Sequence, residues 1–389
     1  MRVAIFADSL PPSTDGVANT YCHLANHLDK EKITYRFFSP FTPGREYSWS
    51  RRVRSMPYVP FFLYPHYRIA LPGQKRLFRS LDRFRPDLIH VSSPTLVGYQ
   101  AMRYARLNDI PAVAAYHTDF IAYFKYYGFN FAENVGWGYL RWFYNQFDAI
   151  LAPSQSTRRM LRLQGFRNVI LWQRGVNTEL FNPKWRSGQN KVPRLLFVGR
   201  IVKEKDVDDL AAAYVLLNKN AKKCDLTWVG DGEYRAELQQ RLRDCRFAGY
   251  LHGDDLAREY ANADLFVFPS TTETFGNVIL EALSSGLPVV TVDKGAVKDL
   301  VEDGKTGHVT AANDPAQLAA AVDVLLKDEK KRLQFARNAR QYALNFSWDS
   351  INGKLLDAYK KLLSYPVHLP SMDKNRTKEK IKTRNRDCI

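Results

Sequence analysis

Residues 195–205 read Leu195-Leu196-Phe197-Val198-Gly199-Arg200-Ile201-Val202-Lys203-Glu204-Lys205, and residues 206–217 continue with apolar positions at helical spacing. Four consecutive apolar residues closed by a glycine suit a strand covered on both faces, as in a parallel sheet. A helix follows at once, which is the crossover that a parallel strand pair requires. The same unit recurs on both sides. Downstream, Leu226–Val229, Leu265–Phe268 and Val289–Val292 read as strands, with helices over Arg235–Arg243, Leu256–Ala261 and Val278–Leu283. Upstream, Val3–Ala7, Tyr35–Ser39, Leu88–Val91, Ala112–Tyr116 and Ala149–Ala152 read as strands, with helices over Val17–Leu28 and Pro94–Leu107. The expected fold class is α/β, with two doubly wound, Rossmann-like halves.

Polar, turn-rich Asn182-Pro183-Lys184-Trp185-Arg186-Ser187-Gly188-Gln189-Asn190 separates the halves. The expected division is a basic N-terminal domain over 1–182, a second domain over 191–345, a C-terminal helix over 346–366 placed to return to the first domain, and a flexible basic tail over 367–389. Open sheets of this kind bind ligands beyond the carboxyl ends of their strands, so a cleft between the domains is the expected site.

The chain has 389 residues, 45% hydrophobic and 25% charged, a composition that excludes wholesale disorder. No apolar run approaches the roughly 20 residues of a spanning helix. Cys22, Cys224, Cys245 and Cys388 form neither a CxxC pair nor a zinc spacing, and read as reduced thiols of a cytoplasmic protein. The formal net charge is +17, of which residues 1–180 carry +11 and residues 371–389 carry +4. A basic first half beside a nearly neutral second suggests that one lobe faces a polyanion or an anionic membrane.

Four segments of the second half carry chemistry. Arg200 and Lys205 at a strand-to-helix turn suit a diphosphate, helped by helix N–H groups. Gly230-Asp231-Gly232-Glu233 forms a close-approach turn after a strand. Pro269-Ser270-Thr271-Thr272-Glu273-Thr274-Phe275-Gly276-Asn277 runs from strand through loop to helix, and Glu281 lies eight residues after Glu273. That spacing places one carboxylate in the loop and the other about two turns into the helix, so that both border one cleft and can accept from two polyol groups. Between them the N–H groups of Gly276, Asn277 and Val278 can meet a phosphate.

These motifs resemble the retaining glycosyltransferases of family 4, which have the two-lobed GT-B fold, two Rossmann-like domains facing across a cleft. The match is Val198-Gly199-Arg200 with Lys205, Gly230-x-Gly232-Glu233, and Glu273-x7-Glu281 enclosing Phe275-Gly276, with Pro153-Ser154 and Gly175-Val176-Asn177…Phe181 in similar places. Tyr116-His117-Thr118-Asp119-Phe120, with Tyr123, Tyr126, Tyr127 and Gly128, looks like the subgroup of sulfoquinovosyl-diacylglycerol synthases and lipid-directed α-mannosyltransferases. The resemblance implies a hexosyltransferase whose donor is a UDP-sugar or GDP-mannose, with no other cofactor and no metal. It implies that Glu273 meets the donor sugar and Glu281 the ribose, while Arg200 and Lys205 neutralise the leaving diphosphate. Gly199, Gly230, Gly232, Phe275, Gly276, Asn277 and Val278 would shape the donor site, with Gly16 near the distal phosphate and His117 near the reacting centre. Many relatives have Gly-Gly in the first loop where this chain has Asp15-Gly16, and an Asp15 carboxylate turned toward phosphate would repel it. Retention, and a front-face route in which the leaving phosphate takes the acceptor proton, are implied by the family alone.

Asp206-Val207-Asp208 spells a DxD, but at a helix start, where acids complement the dipole. Gly304-Lys305-Thr306 lacks the glycine of a P-loop, since Asp299 stands there, and the first loop lacks GxGxxG. His23, His27 and His90 have no ligand-like partners in the sequence.

Residues 45–85 hold ten Lys/Arg against two acids, with nine aromatics, among them Tyr58, Phe61, Phe62 and Tyr64. In 75–85, Arg76 and Arg79 flank Leu77, Phe78, Leu81 and Phe84 at helical spacing. This pattern fits a peripheral surface on anionic lipid; the alternative is a helix with an apolar core face and a solvated basic face. Tyr123, Tyr126 and Tyr127 could floor an acceptor site or pack beneath a loop. The expected partners are a nucleotide sugar, a lipid acceptor such as diacylglycerol or a glycolipid, and the anionic inner face of the membrane. The alternatives are a soluble or polyprenyl-linked acceptor, a UDP-sugar epimerase, and a basic nucleic-acid-binding protein. No nucleic-acid signature supports the last, so no nucleic-acid partner is expected.

Overall fold

The computed structural model describes residues 1–364 apart from 14, 62–63, 72, 118–132, 220, 222 and 274. The first domain begins with β1 (Arg2–Phe6), α1 (Gly16–Lys30), β2 (Thr34–Ser39), β3 (Val53–Ser55) and the hairpin of β4 (Tyr58–Phe61) and β5 (Tyr64–Ala70). It continues with α2 (Gln74–Phe84), β6 (Leu88–Val91), α3 (Leu96–Leu107), β7 (Ala112–Ala115), α4 (Glu133–Tyr144), β8 (Ala149–Ala152), α5 (Gln155–Leu163) and β9 (Val169–Leu171). Its seven-stranded sheet has the order β3-β2-β1-β6-β7-β8-β9, with every pair parallel. β6, β7 and β8 are buried along their whole length, which is why they read as unbroken apolar runs.

The second domain holds β10 (Arg194–Val198), α6 (Val207–Asn218), β11 (Asp225–Val229), α7 (Arg235–Arg241), β12 (Arg246–Gly249), α8 (Gly253–Asn262) and β13 (Leu265–Phe268). It closes with α9 (Asn277–Ser284), β14 (Val289–Val292), β15 (Gly307–Thr310), α10 (Pro315–Lys327) and α11 (Glu329–Leu344). Its six parallel strands take the order β12-β11-β10-β13-β14-β15. Strand order turns back at β1/β6 in one sheet and at β10/β13 in the other, and crevices form at the carboxyl ends of such pairs.

The last helix, α12 (Trp348–Ser364), belongs to the first domain's core, where Ile351, Leu355, Leu356 and Tyr359 join Leu24, Leu28 and Tyr35. Asp349 ties it to α1 through His27 Nδ1 at 3.0 Å and Lys30 Nζ at 2.6 Å, while Trp348 stacks on His23. Across the domains, Asp299 accepts from the Ser156 amide at 2.6 Å and from its hydroxyl at 2.8 Å. The connecting segment is docked on the second domain, where Arg186 donates to Ala263 O and pairs with Asp264, and Asn190 donates to Asp264.

α2 settles one open reading. Leu77, Leu81 and Phe84 are buried in the core and Phe78 meets Tyr104 edge-on at 5.1 Å, so the apolar stripe faces inward and the helix shows solvent its charges. Its apolar face is therefore closed to lipid. Among the described residues, no helix is long and apolar enough to cross a membrane.

Candidate functional site

The second-domain wall is built from three interlocked loops. After β10, Arg200 pairs with Glu204 at 2.6 Å, and a short turn carries Lys203–Lys205. The turn after β11 fits beneath, because Ile201 N donates to Asp231 O and Gly230 N to Gly249 O. A Cβ on Gly230 would stand 2.0 Å from the Gly199 carbonyl oxygen, so only glycine allows this approach. Gly232 closes the same turn. From the other side, Asp206 accepts from both the amide and the hydroxyl of Thr271 at 2.8 Å, and Ala296 N donates to Glu273 O. Pinned on both flanks, the loop sets Glu273 Oε1 at 2.6 Å from Lys205 Nζ, a pair mostly shielded from solvent. The second acid of the DxD look-alike turns elsewhere, with Asp208 accepting from Tyr234 and Arg241. Among the described residues, no cluster of three His, Cys, Asp or Glu side chains could hold a metal.

α9 opens on Gly276, whose φ of +95° favours glycine and which supplies no side-chain cap to the helix. Phe275 is buried beneath this turn, and Asn277 and Val278 begin the helix with amides uncapped by any side chain. Glu281 is the fifth helical residue, so it lies about one turn into the helix rather than two. It accepts from the buried Tyr260 hydroxyl at 2.8 Å. Burial pushes its carboxyl up to about 7 against the opposing pull of that hydrogen bond.

The first-domain wall approaches the same place. A Cβ on Gly16 would meet Asn277 Nδ2 at 3.2 Å, so the start of α1 lies against the start of α9. Asp15 is turned away from the cleft. Its carboxylate caps α1 by accepting from Val17 N and Ala18 N at 2.8 and 2.9 Å, and it also accepts from Ser13 and Ser9. Four donors thus absorb the charge that would otherwise face a phosphate. The α1 N-terminus is filled by its own acid, whereas that of α9 has no such side chain.

His117 sits at the end of a buried chain of polar side chains. Arg174 lies 2.6 Å from its Nδ1, and because a guanidinium can only donate, Nδ1 accepts. Burial holds both His117 and His90 neutral, His90 down to about 3. The His117 proton is then on Nε2 and points to Tyr21 Oη at 3.0 Å, and Tyr21 donates in turn to His90 Nε2 at 3.1 Å. His90 must donate from Nδ1, and its acceptor is the hydroxyl of Tyr359 on α12. One permitted set of proton positions therefore runs from Arg174 to the last helix. Trp172 packs against Tyr21, His90 and His117. Both ring nitrogens of His117 are thus engaged, and burial keeps the ring neutral.

Asp8, beyond the end of β1, is buried among the hydroxyls of Ser92, Ser93 and Thr95, and burial pushes its carboxyl up to about 7. Neither Asp8 nor Arg174 stands out in the sequence as a site residue. The one signal for Arg174 is its place immediately before Gly175-Val176-Asn177.

The described part of the basic aromatic stretch lies on the first domain, in β3, the β4–β5 hairpin and α2. Tyr58 is exposed on β4 with the Arg68 guanidinium over its ring, and Arg76 and Arg79 face solvent from α2. Phe61 and Tyr64 lie on the strands of the hairpin. Phe62, Tyr123, Tyr126 and Tyr127 lie outside the described residues.

Two parallel sheets meeting at their switch points, with cations, acids and an uncapped helix start on one wall and a glycine loop on the other, define the GT-B architecture. A glycosyltransferase from Rickettsia africae has the same fold, with a TM-score of 0.76 at 17% identity, covering 94% of this chain and 99% of that one. Residues 14–180 match the model for Glycosyltransferase Family 4 and residues 182–342 that for glycosyl transferases group 1. The GDP-mannose-dependent alpha-mannosyltransferase of Mycobacterium tuberculosis is 34% identical over 92% of this chain and 96% of its own length. Sulfoquinovosyl transferase SQD2 of Arabidopsis thaliana is 29% identical over 91% of this chain and 72% of its own. The alpha-monoglucosyldiacylglycerol synthase of Streptococcus pneumoniae is 26% identical over 79% and 74%, respectively. The chain belongs to glycosyltransferase family 4 and is a glycosyltransferase.

Proposed function

We propose that the protein moves a hexose from a nucleotide-diphosphate sugar to a lipid acceptor, with retention of configuration, while peripherally attached to the inner face of the membrane. The carrying observation is the convergence of Arg200, Lys205, Glu273, Glu281 and the α9 amides at the switch point of the second sheet, opposite Gly16. Breaking a sugar–phosphate bond develops charge on the leaving diphosphate, and fixed cations and amides aimed at that charge are the main catalytic requirement. In this reading Arg200 and Lys205 receive it together with the amides of Asn277 and Val278, and no metal is needed. Glu273 accepts from the sugar hydroxyls while Lys205 holds its carboxylate in place. Glu281 accepts from the ribose. The Arg174–His117–Tyr21 chain shapes the wall beside the reacting carbon.

The relatives' names support the choice of partners: GDP-mannose for the mycobacterial enzyme, and a diacylglycerol product for the streptococcal one. The test is nucleotide release from UDP-glucose, UDP-galactose, UDP-sulfoquinovose and GDP-mannose, with and without diacylglycerol in anionic liposomes. Lipid-dependent release from one donor is expected. Release that ignores lipid would point to a soluble acceptor, and silence from all four would overturn the donor assignment.

A further inference from the structure

On the flank of the first domain, a pocket of about 480 Å³ lies between the sheet edge and α2, lined by seven arginines, one serine and one valine. Arg76, Arg79 and Arg83 follow the i, i+3, i+7 spacing of one helical face. Arg36 and Arg54 come from β2 and β3. They pair in register with Ala4 and Phe38, which lie in the core beneath α2, so they project on the face that α2 covers. Arg51 and Arg52 close the end just before β3. β3 is the edge strand of the sheet.

The lining contains no acid. Arg52 pairs with Asp29 from outside it, and Arg36 lies over the Phe84 ring at 4.9 Å. α2 also has no acid in its first turn, so Arg76 sits at the positive end of the helix dipole. With Arg52 turned to Asp29, the other six guanidinium groups share a pocket whose lining holds no carboxylate, and a ligand that brings several negative charges relieves their mutual repulsion. Guanidinium forks match phosphate oxygens two at a time. A pocket of this volume has room for several phosphoryl groups.

We propose that this pocket is a binding site for a phosphate-rich anion, either clustered lipid headgroups or a soluble polyphosphorylated molecule. None of its lining residues belongs to the cleft wall, so the assignment stands independently of the donor reading.

The test uses the full chain with two probes: inorganic tripolyphosphate by calorimetry, and phosphatidylglycerol vesicles against phosphatidylcholine vesicles by flotation. Arg54→Gln/Arg83→Gln is expected to weaken binding by at least about tenfold while leaving GDP and UDP affinity in the absence of vesicles unchanged. Its melting temperature should hold or rise as repulsion is relieved, which separates a lost site from a misfolded protein. Arg54→Lys/Arg83→Lys keeps the charge without the forks and should fall in between. Because tripolyphosphate could also enter the cleft, Lys205→Ala is the control, and the pocket's share of binding should survive it. Tripolyphosphate binding without vesicle binding identifies a soluble ligand. Arginine-dependent flotation that tripolyphosphate competes away identifies headgroups. Absence of binding by the wild type, equal binding by Arg54→Gln/Arg83→Gln, or binding abolished by Lys205→Ala would overturn the proposal.

Discussion

Replacing Glu281 by Gln should uncouple two properties that one carboxyl now links. In the folded chain its pKa stands near 7, against 4.5 for an ordinary glutamate. Between those values the native state keeps a proton that the unfolded chain has released. Its contribution to stability is therefore complete below about pH 4.5, declines as pH rises through 7, and is flat above. The displacement corresponds to at most about 3.5 kcal/mol, since one pK unit is about 1.4 kcal/mol, and less because the group keeps some contact with solvent. Glutamine cannot ionise and can still accept from Tyr260. Glu281→Gln should match the wild type near pH 5 and be more stable near pH 8, as measured by thermal unfolding at matched ionic strength. Nucleotide affinity should move the other way. Losing charge-assisted bonds to ribose weakens GDP or UDP binding by about 1.5–3 kcal/mol, roughly ten- to a hundredfold. Ribose hydroxyls favour the ionised carboxyl, so nucleotide binding at pH 7 should release about half a proton from the wild type and none from the variant. Calorimetry in buffers of different ionisation enthalpy reads this directly. Wild-type affinity together with an unchanged proton count in Glu281→Gln would refute the ribose assignment.

Lys205→Ala should lower turnover by about 10²–10³-fold, the effect of removing a donor to a developing anion, and should leave Glu273 without its partner. Unchanged turnover and donor affinity would end the diphosphate assignment. Arg174→Met removes the Arg174 donor to His117 Nδ1, so the ring should repopulate its other tautomer, visible as exchanged ¹⁵N shifts of Nδ1 and Nε2, with reduced turnover. Tyr359→Phe strands the His90 donor and should cost about 1–3 kcal/mol in thermal or denaturant unfolding while nucleotide affinity holds. Asp15→Ala uncaps α1 and should cost about 0.5–2 kcal/mol, and Asp15→Asn should recover most of it.

The strands that carry the site were legible because burial on both faces writes them as apolar runs, as in Leu265–Phe268. β3 was not, since it has three residues at an edge, and β15, Gly307-His308-Val309-Thr310, mixes polar with apolar because it too is an edge. α2 shows the limit of periodicity: a stripe facing a core and a stripe facing lipid have the same spacing, and only its neighbours Tyr104 and Ile89 decide between them. Glu273 and Lys205 could be paired in outline because each ends a recognisable strand-loop-helix unit. The group at His117 could not. Its members come from residues 21, 90, 117, 174 and 359, and nothing local to any of them signals the others.

The electrostatics of the cleft also depend on tertiary placement. Composition makes the second half nearly neutral, which by itself predicts no pull on an anion. The fold changes this by what it does to the acids. Lys205 pairs with Glu273, Asp206 is spent on Thr271, and Asp15 is spent on the start of α1. Asp8 and Glu281, on opposite walls, are held near 7 by burial, so at neutral pH each carries only part of its charge. The uncapped α9 amides and the buried Arg174 then act against few free carboxylates, and a site built from a neutral lobe acquires a positive field. Ionisation of Asp8 works against that field as pH rises past 7, whereas ionisation of Glu281 strengthens its bonds to ribose, so donor affinity should rise with pH where Glu281 titrates and Glu281→Gln should lose that rise.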